Sequence, residues 1–213
     1  MSAARRTSRD ERRRRLGQNF LQPDLAEALV ADCAFSPGDL VVEIGPGRGA
    51  CSFALARRGV RVIAVEADPV WATQLRRDVR RRGLTTIEVV NADALRFELP
   101  RHVFRVFGSL PFGATTAMLR RLLGDPLSSL QRADVVVQWE VARKRAASPP
   151  STALSTTWAP WWTFELGRRI PGTAFRPVPR VDAGMLHVVR REPPLLPTRL
   201  AIAYGEFIRE QWL

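Results

Sequence analysis

The sequence is poor in the residues that build disulfide frameworks and metal centres. Among 213 residues there are two cysteines, Cys33 and Cys51, and two histidines. Neither the number nor the spacing of the cysteines suits a metal site or a disulfide framework. We therefore expect two reduced, partly buried thiols and no bound metal, as is typical of a cytoplasmic protein.

Long hydrophobic runs are also missing. No apolar run approaches the roughly 20 residues that span a bilayer. The arginine-rich N-terminus has no apolar segment behind it, unlike a secretory signal. We expect a soluble, cytoplasmic protein without a membrane partner. Hydrophobic residues make up 46% of the chain, which is enough for a core and argues against a wholly disordered protein.

Lysine and acidic residues are scarce as well. Lys144 is the only lysine, and 21 acidic residues face 33 basic ones, which leaves a net charge of +12. A genome that favours arginine codons explains the choice of arginine over lysine, but not the excess of base over acid. Because guanidinium groups bind phosphate and stack on bases, this composition favours contact with nucleic acid.

The chain divides into three predicted segments. Residues 1–15 hold seven arginines and almost nothing apolar, which predicts a mobile basic arm that either grips RNA or remains a solvated tail. Residues 16–192 form the main domain. Residues 193–213 are predicted to be a proline-rich linker and one helix of an incomplete C-terminal helical domain. That helix either docks on the main domain or belongs to a part that is missing.

Strand and helix patterns alternate through the main domain. Seven short apolar runs predict strands: "LVVEIG", "VRVIAVEAD", "TTIEVVNAD", "VFRVFGS", "ADVVVQWE", "FELGRRI" and "GMLHVVRR". Amphipathic helices are predicted between the early strands, the first of them over "PDLAEALVADCAF". This alternation predicts an α/β fold with a mostly parallel sheet and helices on both faces, closed by a partly antiparallel pair.

Ligands of open α/β sheets bind beyond the carboxyl ends of the strands. The first strand ends in "EIGPGRG", whose glycines let a ligand approach the backbone closely. The second ends in Glu66, which could accept the hydroxyls of a ribose, and the third in Asp93, which could accept from an adenine amino group. Together these loops predict a nucleoside pocket, although the first two would also suit a dinucleotide dehydrogenase.

The fourth strand ends in the tetrad Ser109-Leu110-Pro111-Phe112. This constellation resembles the S-adenosylmethionine-dependent methyltransferases that act on exocyclic amino groups. More narrowly, "LGQNFL", "EIGPGRG", "VEAD", "NADALRF", "FGSLPF" and "FRPVPRVDAGMLHV" occur in the order and spacing of the rRNA adenine N6-methyltransferases. The resemblance covers about residues 16–190 and is closest to the Erm erythromycin-resistance methyltransferases, which modify 23S rRNA. It implies a Rossmann-like methyltransferase fold.

The resemblance implies S-adenosylmethionine as the cofactor. Its binding residues would be Gln18, Asn19, Leu21, Gly45, Gly47, Glu66, Ala67, Asp93, Ala94 and Ser109. Within that set, Asn19 and Leu21 would line the methionine end, Glu66 would hold the ribose, and Asp93 would hold the adenine.

The tetrad would be catalytic by the same resemblance. The Leu110 carbonyl and the Ser109 side chain would accept hydrogen bonds from the adenine amino group. These bonds would free its lone pair to attack the methyl group. Pro111 would fix the bend, and Phe112 would stack on the extruded base. No metal or special general base is required.

The sequence departs from the Erm pattern in two ways. Ser109 stands where those proteins ordinarily have asparagine, which predicts a slower enzyme or one limited to a single methyl group. The chain also has only one helix after Pro197, where Erm proteins usually continue into a small helical domain.

The implied partner is 23S rRNA, protein-free or in an early ribosomal precursor, and we expect a monomer. Candidate phosphate contacts are Arg12, Arg13, Arg14, Arg15, Arg143, Lys144 and Arg145, with Arg168 and Arg169 as further candidates. Two alternatives remain open: a small-subunit rRNA adenine dimethyltransferase, and a catalytically weak rRNA-binding relative. A dehydrogenase is disfavoured because no acid or base is placed for hydride chemistry.

Three further features have predicted roles outside catalysis. Two of the three tryptophans Trp158, Trp161 and Trp162 are expected in the core, and His102 and His187 are expected to be structural. Residues 147–152, "ASPPST", are expected to form a flexible loop near the active face, a possible lid for the substrate.

Overall fold

The computed structural model of the chain describes residues 20–212. Strands β1 to β9 are Phe20–Leu21, Leu40–Ile44, Arg61–Glu66, Ile87–Asn91, Phe104–Ser109, Leu130–Gln138, Trp162–Ile170, Phe175–Arg176 and Ala183–Arg190. Helices α1 to α7 are Pro23–Ala31, Ala50–Arg57, Pro69–Arg81, Thr115–Leu123, Trp139–Arg145, Ala153–Trp158 and Ala201–Gln211. Short 3₁₀ turns occupy Gly172–Ala174 and Thr198–Leu200.

Seven strands form one sheet in the order β4-β3-β2-β5-β6-β9-β7. All are parallel except β9, which runs antiparallel to both of its neighbours. The predicted α/β fold with a mostly parallel seven-stranded sheet is confirmed. The interior strand β2 is buried at all five positions, as expected of an apolar strand that is covered on both faces.

Helices cover both faces of the sheet. One core packs α4, α5 and α6 against the sheet and contains Trp158, Trp161 and Trp162. All three of these tryptophans are at most 4% exposed, so the prediction that two of them lie in the core is confirmed and the third is buried as well. The second core packs α1, α2 and α3 against the opposite face through residues such as Leu29, Leu55 and Leu75.

Helix α1 is shorter than the pattern "PDLAEALVADCAF" predicts, because it ends at Ala31. The Cys33 thiol donates a hydrogen bond to the carbonyl of Leu29 (3.2 Å). The backbone then turns so that the Phe35 ring meets the Phe107 ring edge-on at 6.1 Å. Packing of Phe35 against the sheet therefore replaces the last helical turn.

The final helix docks on the main domain. Its Tyr204 meets Trp161 edge-on at 6.0 Å, and Ile208 is buried. The Trp161 indole N–H donates to the carbonyl of Leu196 (3.0 Å), which ties down the preceding proline-rich segment. Among residues 20–212, no helix is long and apolar enough to cross a membrane.

Candidate active site

Strand register places the predicted functional loops side by side. Ile44 of β2 pairs with Val65 of β3 on one side and with Gly108 of β5 on the other. Ser109, the last residue of β5, pairs with Val136 of β6. Because these strands are parallel and end at nearly the same level, the loops that follow them share one edge of the sheet.

A cavity of about 300 Å³ opens at this edge. It brings together the four residues of the tetrad and most of the predicted cofactor residues. Its lining comprises Phe20, Ile44, Gly45, Gly47, Val65, Glu66, Ala67, Asp93, Ala94, Leu95, Ser109, Leu110, Pro111, Phe112, Ala114 and Met118. Of the predicted cofactor residues, Gly45, Gly47, Glu66, Ala67, Asp93, Ala94 and Ser109 are in this set.

Three glycines of the loop after β2 adopt positive φ angles, and two of them line the cavity. Gly45 and Gly47 adopt φ angles of +68° and +53°, in the left-handed region. A Cβ atom on Gly47 would also lie 2.7 Å from the Phe20 ring. The Phe20 ring can therefore pack against this loop at the edge of the cavity only because Gly47 has no side chain.

Glu66 is held rigidly at the floor of the cavity. Its Oε2 accepts a hydrogen bond from the backbone N–H of Gly47 (2.9 Å), and its Oε1 accepts one from that of Asp68 (2.8 Å). Burial raises the pKa of Glu66, against the lowering effect of these two bonds. Each carboxylate oxygen keeps further acceptor capacity, which is the chemistry that ribose hydroxyls need.

Asp93 lies on the rim of the same cavity and is exposed. Its Oδ1 accepts from the backbone N–H of Leu95 (2.9 Å), which fixes the turn after β4. This bond orients the carboxylate while leaving Oδ2 able to accept a hydrogen bond from a ligand.

The tetrad makes a rigid bend. The backbone N–H of Leu110 donates to the carbonyl of Val136 (3.0 Å). The carbonyl of Pro111 accepts from the backbone N–H of Ala114 (2.9 Å) and from the Thr115 hydroxyl (3.2 Å). Within residues 20–212, no group donates a hydrogen bond to the Leu110 carbonyl or to the Ser109 hydroxyl oxygen. Two residues that line the cavity therefore each have an acceptor that no described group uses.

Phe112 follows these acceptors and lines the same cavity. Its side chain is half-buried and packs partly against the core of the α1–α3 face. The ring is therefore held in place without being sealed in the interior, as a base-stacking platform requires.

Sequence reasoning did not single out Phe20. Its ring packs edge-on against Trp71 at 5.0 Å, and the Arg48 guanidinium lies 5.0 Å from the Phe20 ring centre and 5.3 Å from that of Trp71. This cluster covers the glycine loop. The available signal was the position of Phe20 within "LGQNFL", between two residues to which a role was assigned.

Of the three predicted cofactor residues in that motif, the structure describes only Leu21. Leu21 pairs with Phe175 and lines a recess of about 30 Å³ beside Gly45 and Ser109, adjacent to the larger cavity. Gln18 and Asn19 lie outside the described residues.

The basic residues predicted to contact RNA differ in their exposure and in their partners. Arg12, Arg13, Arg14 and Arg15 lie outside the described residues. Lys144 is exposed, and Arg143 pairs with Glu140 at 3.2 Å. Arg168 pairs with Asp32, and Arg169 with Asp182, each at 2.8 Å. The Arg145 guanidinium instead donates to the Thr152 hydroxyl (2.6 Å), at the end of the predicted loop 147–152.

Comparison with known proteins places this geometry in a family. The model of the family described as "Ribosomal RNA adenine dimethylase" matches residues 9–212. The chain belongs to the ribosomal RNA adenine dimethylase family. An rRNA adenine N-6-methyltransferase of Corynebacterium diphtheriae is 39% identical over 192 residues, covering 90% of this chain and 74% of that protein.

Two further members of this comparison carry more specific names. The mycinamicin-resistance protein MyrB of Micromonospora griseorubida is 39% identical over 199 residues, covering 93% of this chain and 62% of that protein. The crystal structure of the 23S rRNA methyltransferase ErmE superposes with a TM-score of 0.80 at 32% identity, covering 90% of this chain and 78% of that one. The chain thus spans between 62% and 78% of the length of these three proteins.

Proposed function

We propose that this protein transfers a methyl group from S-adenosylmethionine to N6 of a specific adenine in 23S rRNA. The modification would give resistance to macrolide, lincosamide and streptogramin B antibiotics. The observation that carries the proposal is one cavity that combines two unused hydrogen-bond acceptors, a half-buried phenylalanine and a glycine loop flanked by two carboxylates. Likeness to ErmE and to a mycinamicin-resistance protein supports the choice of 23S rRNA and the resistance phenotype.

The residues of the cavity fit the proposed cofactor. Glu66 and Asp93 offer acceptors for ribose hydroxyls and an adenine amino group, and the backbone at Gly45 and Gly47 carries no side chain to obstruct a ligand. When bound, S-adenosylmethionine supplies a methyl group activated by a sulfonium. Leu21, in the adjoining recess, is proposed to contact the methionine end.

The tetrad is proposed to prepare the nucleophile. An adenine amino nitrogen is a poor nucleophile because its lone pair is delocalised into the ring. Hydrogen bonds from its two N–H groups to the Leu110 carbonyl and the Ser109 hydroxyl would draw it towards tetrahedral geometry. Phe112 would hold the extruded base by stacking, worth roughly 1–3 kcal/mol. Positioning of the two reacting groups supplies much of the remaining rate enhancement.

A second candidate is dimethylation of adenines in small-subunit rRNA. The family description names adenine dimethylation without naming a subunit, and the cavity suits either RNA. A catalytically weak rRNA-binding relative is the third candidate, since Ser109 replaces the usual asparagine.

The test is methyl transfer to each RNA separately. The protein is incubated with labelled S-adenosylmethionine and protein-free 23S or 16S rRNA, and the modified base is located by primer extension. We expect label in 23S rRNA at one adenine. Label in 16S rRNA alone would support the second candidate, and binding of both rRNAs without label would support the third.

A further inference from the structure

Arg145 is a partly buried cation for which the described chain supplies no counter-charge. It is the last residue of α5, and its guanidinium lies 5.7 Å from the centre of the Trp158 ring. Within residues 20–212, no carboxylate lies within ion-pair distance of it. By contrast, Arg143, Arg168 and Arg169 each have an acidic partner.

The hydrogen bonds of Arg145 leave part of the guanidinium unused. Its Nη1 donates to the hydroxyls of Thr152 (2.6 Å) and Ser155 (3.3 Å), which are neutral groups. Its Nε is buried without a partner. Its Nη2 makes no hydrogen bond to the described residues.

A second cation raises the cost of this arrangement. Burial lowers the pKa of Arg145, and the nearby positive charge of Arg120 on α4 lowers it further. Partly burying a charge without compensation is unfavourable. The Arg145 guanidinium has no carboxylate partner and is subject to the positive charge of Arg120, so a bound anion would stabilise it. Arginine forks match the geometry of phosphate oxygens.

We propose that Arg145 and Arg120 form a phosphate-binding site for the RNA backbone, with Arg145 pre-oriented by Thr152, Ser155 and Trp158. This inference rests on the proposed function, because it takes an RNA as the substrate. The site lies on the α4–α6 face of the sheet, and α4 begins directly after the tetrad at Thr115. A phosphodiester flanking the extruded adenine is the ligand class that this site would take.

A structural role is the competing explanation. Arg145 would then only brace α5 against α6 through Thr152 and Ser155. The two explanations differ in what the substitution changes: a brace affects the unfolding temperature, whereas a phosphate contact affects RNA affinity and its dependence on salt.

The experiment measures binding to protein-free 23S rRNA at 50–300 mM KCl by filter binding. The variants are Arg145→Met, Arg145→Lys and Arg120→Gln. The control is Arg58→Gln, which removes one exposed arginine at the end of α2 on the opposite face. Loss of one phosphate contact reduces the slope of log K against log [KCl] by about 0.7–0.9. We expect this change in Arg145→Met, with affinity weakened on the order of tenfold at 100 mM KCl.

The remaining variants keep the proposal falsifiable. Arg145→Lys should keep the salt slope but lose part of the affinity, because lysine keeps the charge without the fork. Arg120→Gln, at an exposed position, should reduce the slope even if Arg145→Met fails to fold. The proposal is overturned if Arg120→Gln and every folded Arg145 variant match the control in both affinity and slope.

Methyl transfer is measured on the same wild-type preparation to separate two kinds of failure. Normal transfer with binding that does not depend on Arg145 or Arg120 would contradict this inference alone. Binding that depends on both arginines without any methyl transfer would contradict the proposed activity alone.

Discussion

Phe112 and Ser109 line one cavity but are expected to contribute differently to the rate. Phe112 supplies a flat apolar surface that no neighbouring residue of the tetrad can replace. Ser109 supplies an acceptor that is shorter than the asparagine of related proteins and must also place its own proton. Removing the Phe112 ring should therefore lower activity, whereas a longer acceptor side chain at position 109 should not.

Phe112→Ala is expected to abolish measurable methyl transfer to 23S rRNA. Loss of stacking alone costs roughly 1–3 kcal/mol, which is about 5- to 150-fold in kcat/KM, and misplacement of the base costs more. Phe112→Tyr keeps the ring and is the matched control. An alanine variant with undiminished turnover would contradict the stacking role.

Ser109→Asn is expected to keep or raise the rate, because the amide oxygen reaches further while remaining an acceptor. The measurement is the single-turnover rate, together with the ratio of mono- to dimethyladenine in digested rRNA. Ser109→Ala, which removes the acceptor, should be slower than either. An asparagine variant as slow as the alanine variant would show that residue 109 is not an acceptor.

Glu43 is a buried carboxyl group in β2, two residues before Gly45 of the glycine loop. It is 1% exposed and accepts a hydrogen bond from the Ser52 hydroxyl at 2.5 Å. Burial raises the pKa of Glu43 to about 8, against the lowering effect of the Ser52 bond. Between its unfolded pKa of about 4.3 and the folded value, the native state keeps a proton that the unfolded chain has lost. Stability should therefore fall as pH rises through this window.

Glu43→Gln is expected to flatten this pH dependence. At pH 8 the variant should be more stable than wild type by on the order of a few kcal/mol, and near pH 4 the two should be similar. Urea unfolding between pH 4 and 8 is the measurement, with exposed Glu88→Gln as the control. A variant that is less stable than wild type at pH 8 would mean that Glu43 is ionised in the fold.

Some single residues could be predicted because their position along the chain fixes their place in space. Gly45, Glu66 and Asp93 each lie at the end of a strand or within two residues after it, and the edge of a parallel sheet collects such residues. Phe20 could not be found in this way, because its neighbours Gly47 and Trp71 come from a loop and a helix that are distant in the sequence. The basic sequence "WEVARKRA" predicts that Arg145 is a surface cation. Its partial burial results from the packing of α6, which the sequence does not show.

At the scale of elements, β1 and the glycine loop depend on each other. Phe20 in β1 lies against Gly47, and β1 pairs with β8 through Leu21 and Phe175. Hydrophobic periodicity predicts most strands and helices here but not such contacts. Periodicity also predicts a helix α1 that continues beyond Ala31, because it does not show that Phe35 packs on Phe107.

Gly47→Ala is expected to weaken S-adenosylmethionine binding, and by more than would result from the backbone strain of alanine at a positive φ. The new methyl group would meet the Phe20 ring at 2.7 Å and displace β1 from the cavity. Gly38→Ala is the matched control, because Gly38 has φ +89° but no atom within 4 Å of the added Cβ. Both variants should lose about 1 kcal/mol or more of stability.

Calorimetric titration with the cofactor separates the two variants. Only Gly47→Ala should lose affinity. Equal cofactor affinity in the two variants would mean that the contact between Phe20 and the glycine loop does not shape the site.

At the scale of the whole molecule, a buried charge network joins three strands away from the cavity. Asp134 on β6 is fully buried and accepts from Arg132 (2.8 Å), and its Oδ1 lies 2.6 Å from Nδ1 of His187 on β9. Arg105 on β5 approaches it at 3.4 Å. His187 therefore has the structural role predicted for it, as a member of this network. Burial raises the pKa of Asp134, but the His187 bond and the Arg132 charge outweigh it and lower the pKa overall.

Asp134→Asn is expected to destabilise the protein by about 3–5 kcal/mol at pH 7, because it leaves the partly buried Arg132 without its counter-charge and Arg105 with Asp39 alone. Since the folded pKa is depressed, the carboxylate stabilises the fold above the unfolded pKa of about 3.9 and loses this effect as pH falls through the folded value. The difference between variant and wild type should therefore shrink below about pH 4.

Urea unfolding at pH 7 and pH 3 measures this difference. Glu98→Gln, in an exposed pair with Arg101, should change little at either pH. A difference between Asp134→Asn and wild type that is equally large at pH 3 would contradict an ionised Asp134.

The central claim is that a methyl donor and an extruded adenine meet beside the tetrad. A crystal structure of the protein with bound S-adenosylmethionine tests it most directly. We expect the adenosine between Glu66 and Asp93, the sulfonium end next to Ser109, and the Phe112 ring open to the cavity. A donor bound elsewhere, or a Phe112 ring enclosed in the hydrophobic core, would contradict the account.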